Sequence, residues 1–181
     1  MPKLTSKLVK AAAEAKEVNT SFEAWPAGKY IATLAKVDTR ESKAGNEYWV
    51  AEFSNFEDLD GKKYPGRQWL NINLPIAEMP ADWLPKKMRD AGETVESVDQ
   101  EARTESWENY QGMTVGRIKE FFEAFGFTID SDTDELIGEQ CIVKIGQETS
   151  NYGQRKGERV NTVAGLAPLE SAGVVKEDTD F

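Results

Sequence analysis

A chain of 181 residues is sized for one domain, and its net charge of −10 excludes a protein that holds duplex DNA simply by bulk positive potential, though not one with a local basic groove. The sequence has no histidine, which removes His-dependent triads, His-based zinc sites and imidazole proton shuttles together. Its 39% hydrophobic and 30% charged residues, with a mean hydropathy of −0.58, describe a compact core carrying polar appendages.

In chain order, residues 4–18 (LTSKLVKAAAEAKEV) set Leu4, Leu8, Ala11, Ala12 and Ala15 near helical spacing and predict a short amphipathic helix with a solvated lysine face. After Pro26-Ala27-Gly28 the period changes to two, so residues 30–40 read as a long strand. Residues 42–46 form a turn and 47–56 a second strand, which together make a hairpin. A third strand, 67–74, follows the turn at Asp60-Gly61-Lys62-Lys63 and the Pro65-Gly66 break. Residues 89–108 hold 2 basic and 7 acidic groups without sustained periodicity and read as an acidic loop or insertion. Val115, Ile118, Phe121, Phe122 and Phe125 then repeat at three and four, predicting a helix over 115–127 that Gly126 ends. Residues 138–147 and 159–166 give the fourth and fifth strands around a Gly- and Arg-containing loop.

Three strands, a helix and a final hairpin match the element order of an OB-fold. The expected fold class is therefore mainly β, a five-stranded Greek-key barrel with a connecting helix. The expected division is an N-terminal helix or extension over 1–21, the OB domain over 22–169 and a disordered acidic tail over 170–181. Other small α+β barrels share this element count.

Strand alternation separates a core row from a surface row. In the third strand Leu70, Ile72 and Leu74 are the core row, and Trp69, Asn71 and Asn73 face the other way. A tryptophan beside two amides suits base stacking, worth about 1–3 kcal/mol per base, with hydrogen bonds to base edges or sugars. The other reading packs Trp69 beneath the acidic insertion or the N-terminal helix. In the second strand Trp49, Ala51 and Phe53 make the apolar row, and Tyr48 joins the face of Trp69. The surface row of the first strand is either Lys36 or the Thr33 and Thr39 set.

Basic residues gather in the turns: Lys36, Arg40 and Lys43 around the first, Lys62, Lys63 and Arg67 around the second, Arg155, Lys156 and Arg159 near the last. Each group alone is an ordinary solvated turn. In an OB topology the first and last hairpin loops border one groove, so those two groups and Tyr152 are expected to converge on a single channel.

No enzyme constellation is present. Asp130-Ser131-Asp132-Thr133-Asp134 opens like a calcium loop, but Glu135 stands at the sixth position and Cys141 at the twelfth. Gly153-Gln154-Arg155-Lys156-Gly157 lacks the strand and helix of a phosphate loop. Cys141 lies in an apolar run and reads as a buried structural thiol. The expectation is no catalysis, no metal, no cofactor and no membrane partner. A reducing cytoplasm fits, since the N-terminus has no continuous apolar run of the signal-peptide kind.

The chain ends Glu177-Asp178-Thr179-Asp180-Phe181, a terminal aromatic beside carboxylates, suited to a basic-rimmed apolar pocket on another protein. With Pro26-Ala27-Gly28-Lys29-Tyr30, the run from Gly61 to Arg67, Leu136-Ile137-Gly138 and Val160-Asn161-Thr162-Val163, the chain resembles the single-stranded DNA-binding proteins, most closely their phage-encoded branch. The resemblance implies sequence-tolerant binding of single-stranded DNA in replication or recombination, in the host cytoplasm, and allows a homo-oligomer. Its site residues would be Trp69, Tyr48, Tyr152, Asn71 and Asn73 with the turn lysines and arginines. Glu177, Asp178, Asp180 and Phe181 would recruit replication or recombination proteins. The sequence departs from bacterial homologues in lacking their Asp-Ile-Pro-Phe ending and long Gly/Gln-rich linker. The competing reading is an acidic DNA mimic that occupies the DNA site of a host enzyme.

Overall fold

The computed structural model describes residues 23–151 and 153–173; the expected N-terminal helix, Tyr152 and the tail residues Glu177, Asp178, Asp180 and Phe181 lie outside them. Two long strands, β1 (Gly28–Glu41) and β2 (Glu47–Asp58), pair antiparallel. Their turn is closed by hydrogen bonds from Ser42 N to Asn46 O and from Gly45 N to Ser42 O. β3 (Lys63–Tyr64) and β4 (Gln68–Asn73) both pair with β2, while β5 (Gln140–Thr149) pairs with the start of β1 and β6 (Arg159–Ala167) with β5. The result is a mainly β protein with a six-stranded, open, antiparallel sheet. The expected count of five strands is thus corrected to six. The segment expected to be turn contains β3, which Pro65-Gly66 separates from β4 because proline has no N–H to give the ladder.

Two compensating irregularities shape β1 and β2. On β2, Asn55 adopts a left-handed φ of 55°, a conformation that asparagine tolerates better than most residues, and one residue more than on β1 fits between the pairs Ile31–Glu57 and Thr33–Ser54. On β1 the extra residue is Ala35, between the pairs Leu34–Phe53 and Lys36–Glu52. Side chains alternate strictly along a strand, so each bulge exchanges inside and outside. Before Ala35 the core row is Tyr30, Ala32 and Leu34; after it Val37 turns inward, and Lys36, Asp38 and Arg40 face out. Thr33 and Lys36 are thus both in the outward row, while Thr39, opposite Trp49 in the row of Val37, is exposed at the strand's end.

Three helices follow β4: α1 (Lys86–Asp90), α2 (Gln100–Ala124) and the single turn α3 (Thr133–Leu136), which a reciprocal capping box between Asp132 and Glu135 starts. The C-terminal half of α2 lays Ile118, Phe121 and Phe122 on the sheet, and with Phe125 these meet Trp49 and Phe53. Burial of each such ring contributes about 1.5–3 kcal/mol. The N-terminal half corrects the reading of 89–108 as a loop, since the helix begins at Gln100, with Asp99 accepting a cap bond from Ala102 N. At 25 residues α2 is about 37 Å long, more than the sheet needs, and its first half holds residues 75–99 instead. Arg103, only 7% exposed, donates from Nε to Trp83 O at 2.8 Å and from Nη2 to Pro80 O and Ala81 O at 3.0 Å. Trp83 packs edge-on against Trp107, and Gln111 donates to Ile76 O.

Candidate nucleic-acid interface

On the face away from the core, side chains of β1, β2 and β4 stand in three rows. Lys36, Glu52 and Trp69 are in register, then Asp38, Val50 and Asn71, then Arg40, Tyr48 and Asn73. Opposed residues share a face, so these nine side chains form a patch roughly 10 Å across the strands. Six of the predicted site residues meet here: Lys36, Arg40, Tyr48, Trp69, Asn71 and Asn73. Trp69 is 56% exposed, whereas Trp25, Trp49, Trp83 and Trp107 are all partly or fully buried. No described element covers it, which removes the reading that packs it beneath the acidic segment.

The patch is close to electrical balance. Arg67 reaches Glu52 at 2.7 Å and Lys36 reaches Asp38 at 3.2 Å, and among the described residues Arg40 has no acidic partner. The exposed Lys36–Asp38 pair contributes about 0–1 kcal/mol, so a phosphate can replace that carboxylate at little cost. The side chains of Asn71 and Asn73 have no hydrogen-bond partner among the described residues.

The other basic residues are spread around this patch. Lys43 is exposed in the turn just past the Arg40–Tyr48 row. Lys63 stands opposite Glu57, while Lys62 lies over the Tyr64 ring at 5.1 Å. Arg155 ends a 3-10 turn, Lys156 follows it and Arg159 opposes Thr149. The expected convergence of the first and last turns is not reproduced by the ladder. β5 pairs only with residues 28–33 of β1, so the tip of the β5–β6 hairpin runs beyond the start of β1, at the end of the β2–β3 turn and away from Lys43.

The chain matches no protein-family model and no curated protein at a significant level. The site therefore stands on its own geometry.

Two groups of residues were missed by the sequence reading. Lys29 and Lys144 are directly opposed on the outer face, both exposed and without an acidic partner among the described residues. Lys144 was visible as the one charged residue within the apolar run 141–145, which alternation turns outward. Arg117 and Glu120 of α2 border a cleft of about 280 Å³ between β4 and β6, together with Leu70, Asn71, Ile72, Asn73, Phe121 and the 164–166 stretch. Nothing in the periodicity of α2 announces that cleft, because it depends on how close β4 and β6 lie.

Cys141 is fully buried in the core, and burial pushes its thiol up to about 12. It is inert rather than nucleophilic. Among the described residues, no helix is long and apolar enough to cross a membrane.

Proposed function

We propose that the chain is a sequence-tolerant single-stranded DNA-binding protein of the OB type, acting in DNA replication or recombination without catalysis. The observation that carries this reading is the exposed Trp69 on the same face as Tyr48, flanked by Asn71, Asn73, Lys36 and Arg40. That is a stacking platform with polar groups for base edges and cations for the backbone. The strand order β4-β2-β1-β5-β6, with α2 between β4 and β5 and with β6 beside β4, supports an OB connectivity in its partly open form. Lys43, Lys62, Lys63, Arg67, Arg155, Lys156 and Arg159 follow the phosphates, and Tyr152 adds a further stacking ring. The acidic tail ending in Phe181 recruits partner proteins.

The test is tryptophan fluorescence on titration with oligo-dT at two salt concentrations. Quenching that weakens steeply with salt and is much reduced in Trp69→Ala supports the proposal. Absence of binding at any salt overturns it. In the same assay, removal of residues 170–181 leaves affinity equal or higher while partner recruitment is lost.

A second reading, an acidic DNA mimic, is favoured by one feature: Glu101, Glu105 and Glu108 are fixed on the rigid first half of α2 rather than on a loop. A mimic binds a DNA-handling protein and leaves oligo-dT free.

A further inference from the structure

We infer that the cleft between β4 and β6 accepts a single unstacked base from the bound strand, and that it favours guanine. This inference rests on the single-stranded DNA reading and adds a subsite to it.

Four observations converge on the cleft. First, it adjoins the stacking patch, because Asn71 and Asn73 belong to both. Second, its floor is apolar, with Leu70, Ile72, Phe121 and Leu166, while its rim is polar, with Asn71, Asn73, Arg117 and Glu120. At about 280 Å³ it is near the lower size of pockets that hold small organic molecules, roughly 300 Å³. Third, those four rim side chains have no hydrogen-bond or ion-pair partner among the described residues, in contrast to Glu52 and Asp38 elsewhere on the sheet. Their donors and acceptors are open to an incoming ligand. Fourth, a cation stands at the β6 edge of the cleft: the Lys144 side chain covers Gly165, its Cδ 3.7 Å from where a Cβ on that residue would stand, with Lys29 opposite it on β1. A phosphate beside an inserted nucleotide has a cation on that edge.

The preference for guanine follows from the chemistry of the rim. Arg117 and Glu120 are three residues apart on one helix, so their Cβ atoms are about 5–6 Å apart on the same face. They set a forked donor beside a forked acceptor. Guanine alone among the bases offers two adjacent N–H donors, N1 and N2, to a carboxylate and also accepts at O6 and N7 from a guanidinium. Adenine and cytosine give a carboxylate only their amino group, and thymine only its N3–H.

The experiment compares binding of full-length protein to oligo-dT with binding to the same oligonucleotide carrying one central dG, dA or dC, for the wild-type chain, Arg117→Ala and Glu120→Gln. Both positions are exposed, so neither change threatens the fold. The expected result is about tenfold tighter binding of the dG oligonucleotide by the wild-type protein. That margin disappears in both variants, while their affinity for plain oligo-dT is retained within about twofold. Binding of oligo-dT without a dG preference, or a preference that survives both substitutions, overturns the guanine subsite and leaves the single-stranded DNA reading standing. Failure to bind any of the four oligonucleotides overturns both.

Discussion

Asn161 clasps Trp25 by both backbone groups: its Oδ1 accepts from Trp25 N at 2.7 Å and its Nδ2 donates to Trp25 O at 2.9 Å. Gln147 donates a further bond to the same carbonyl at 2.6 Å. The indole held this way packs against Tyr30, Phe56 and Tyr64, with centroids 4.9 to 5.9 Å away, and so ties the β5–β6 hairpin to the far end of β2. Asn161→Ala removes three hydrogen bonds, one of them donated to Gly146 O, and leaves the Trp25 N–H without its acceptor. It should cost about 2–3 kcal/mol in urea denaturation, with a red-shifted tryptophan emission in the native baseline.

Arg103 is a buried cation whose partners are carbonyl oxygens rather than a carboxylate. Arg103→Met keeps the stem and removes the donors. The expected outcome is local: new proteolytic cuts within residues 76–99 while the sheet remains protected, as mapped by mass spectrometry of a limited digest. Cleavage confined to the chain termini would show that the segment is held by its tryptophans alone.

Asn55 holds the bulge of β2 at a positive φ. Asn55→Gly should be close to neutral, since glycine adopts that conformation freely. Asn55→Val should destabilise by about 1–2 kcal/mol, read from the denaturation midpoint.

Glu52 holds Arg67 on the stacking patch. Glu52→Gln frees that cation for phosphate, so oligo-dT affinity should rise and the log-affinity against log-salt slope should steepen by about 0.7. An unchanged slope would mean that Arg67 lies off the path of the strand.

The Cys141 thiol, raised to about 12, makes alkaline stability a test of its burial. An unfolded cysteine titrates near about 8.5, so the folded chain binds the proton more tightly. That contribution is complete below about pH 8.5 and is lost as the pH climbs toward the folded value. Denaturation midpoints should fall over this range, and Cys141→Ala should flatten the early part of the decline. Ellman's reagent should react only after unfolding.

The strands were legible because their alternation is regular wherever one face meets the core: Leu70 and Ile72 against Trp69 and Asn71 needed nothing but the period of two. Where the period slips, at Ala35 and Asn55, no local signal announces the extra residue, and the surface of β1 was undecidable. The second half of α2 carried a helical stripe since it packs on the sheet. The first half faces residues 75–99 through an arginine, a tryptophan and a glutamine, so its apolar spacing is diluted, although Asp99 before Gln100-Glu101-Ala102 was a readable helix start. Tyr48, Trp69, Asn71 and Asn73 were found through strand faces, and Lys36 and Arg40 through the gathering of basic residues at the first turn. Arg117 and Glu120, the helical part of the cleft's rim, were not, because no periodicity links them to Asn71 and Asn73 on a strand far away in the chain.

The bulge at Ala35 gives β1 something like a reading frame. Upstream of it even-numbered residues are inward, downstream Val37 is, and the first half pairs with both β5 and β2 while the second pairs with β2 alone. Deletion of Ala35 itself would join inward Leu34 to outward Lys36 and keep both faces, whereas a one-residue change elsewhere in β1 would turn part of the strand over. Length changes in β1 away from Ala35 should therefore survive only when they come in pairs, or when β2 gains or loses a residue opposite them. The proposed binding face is in this sense encoded by a count of residues as much as by their identity.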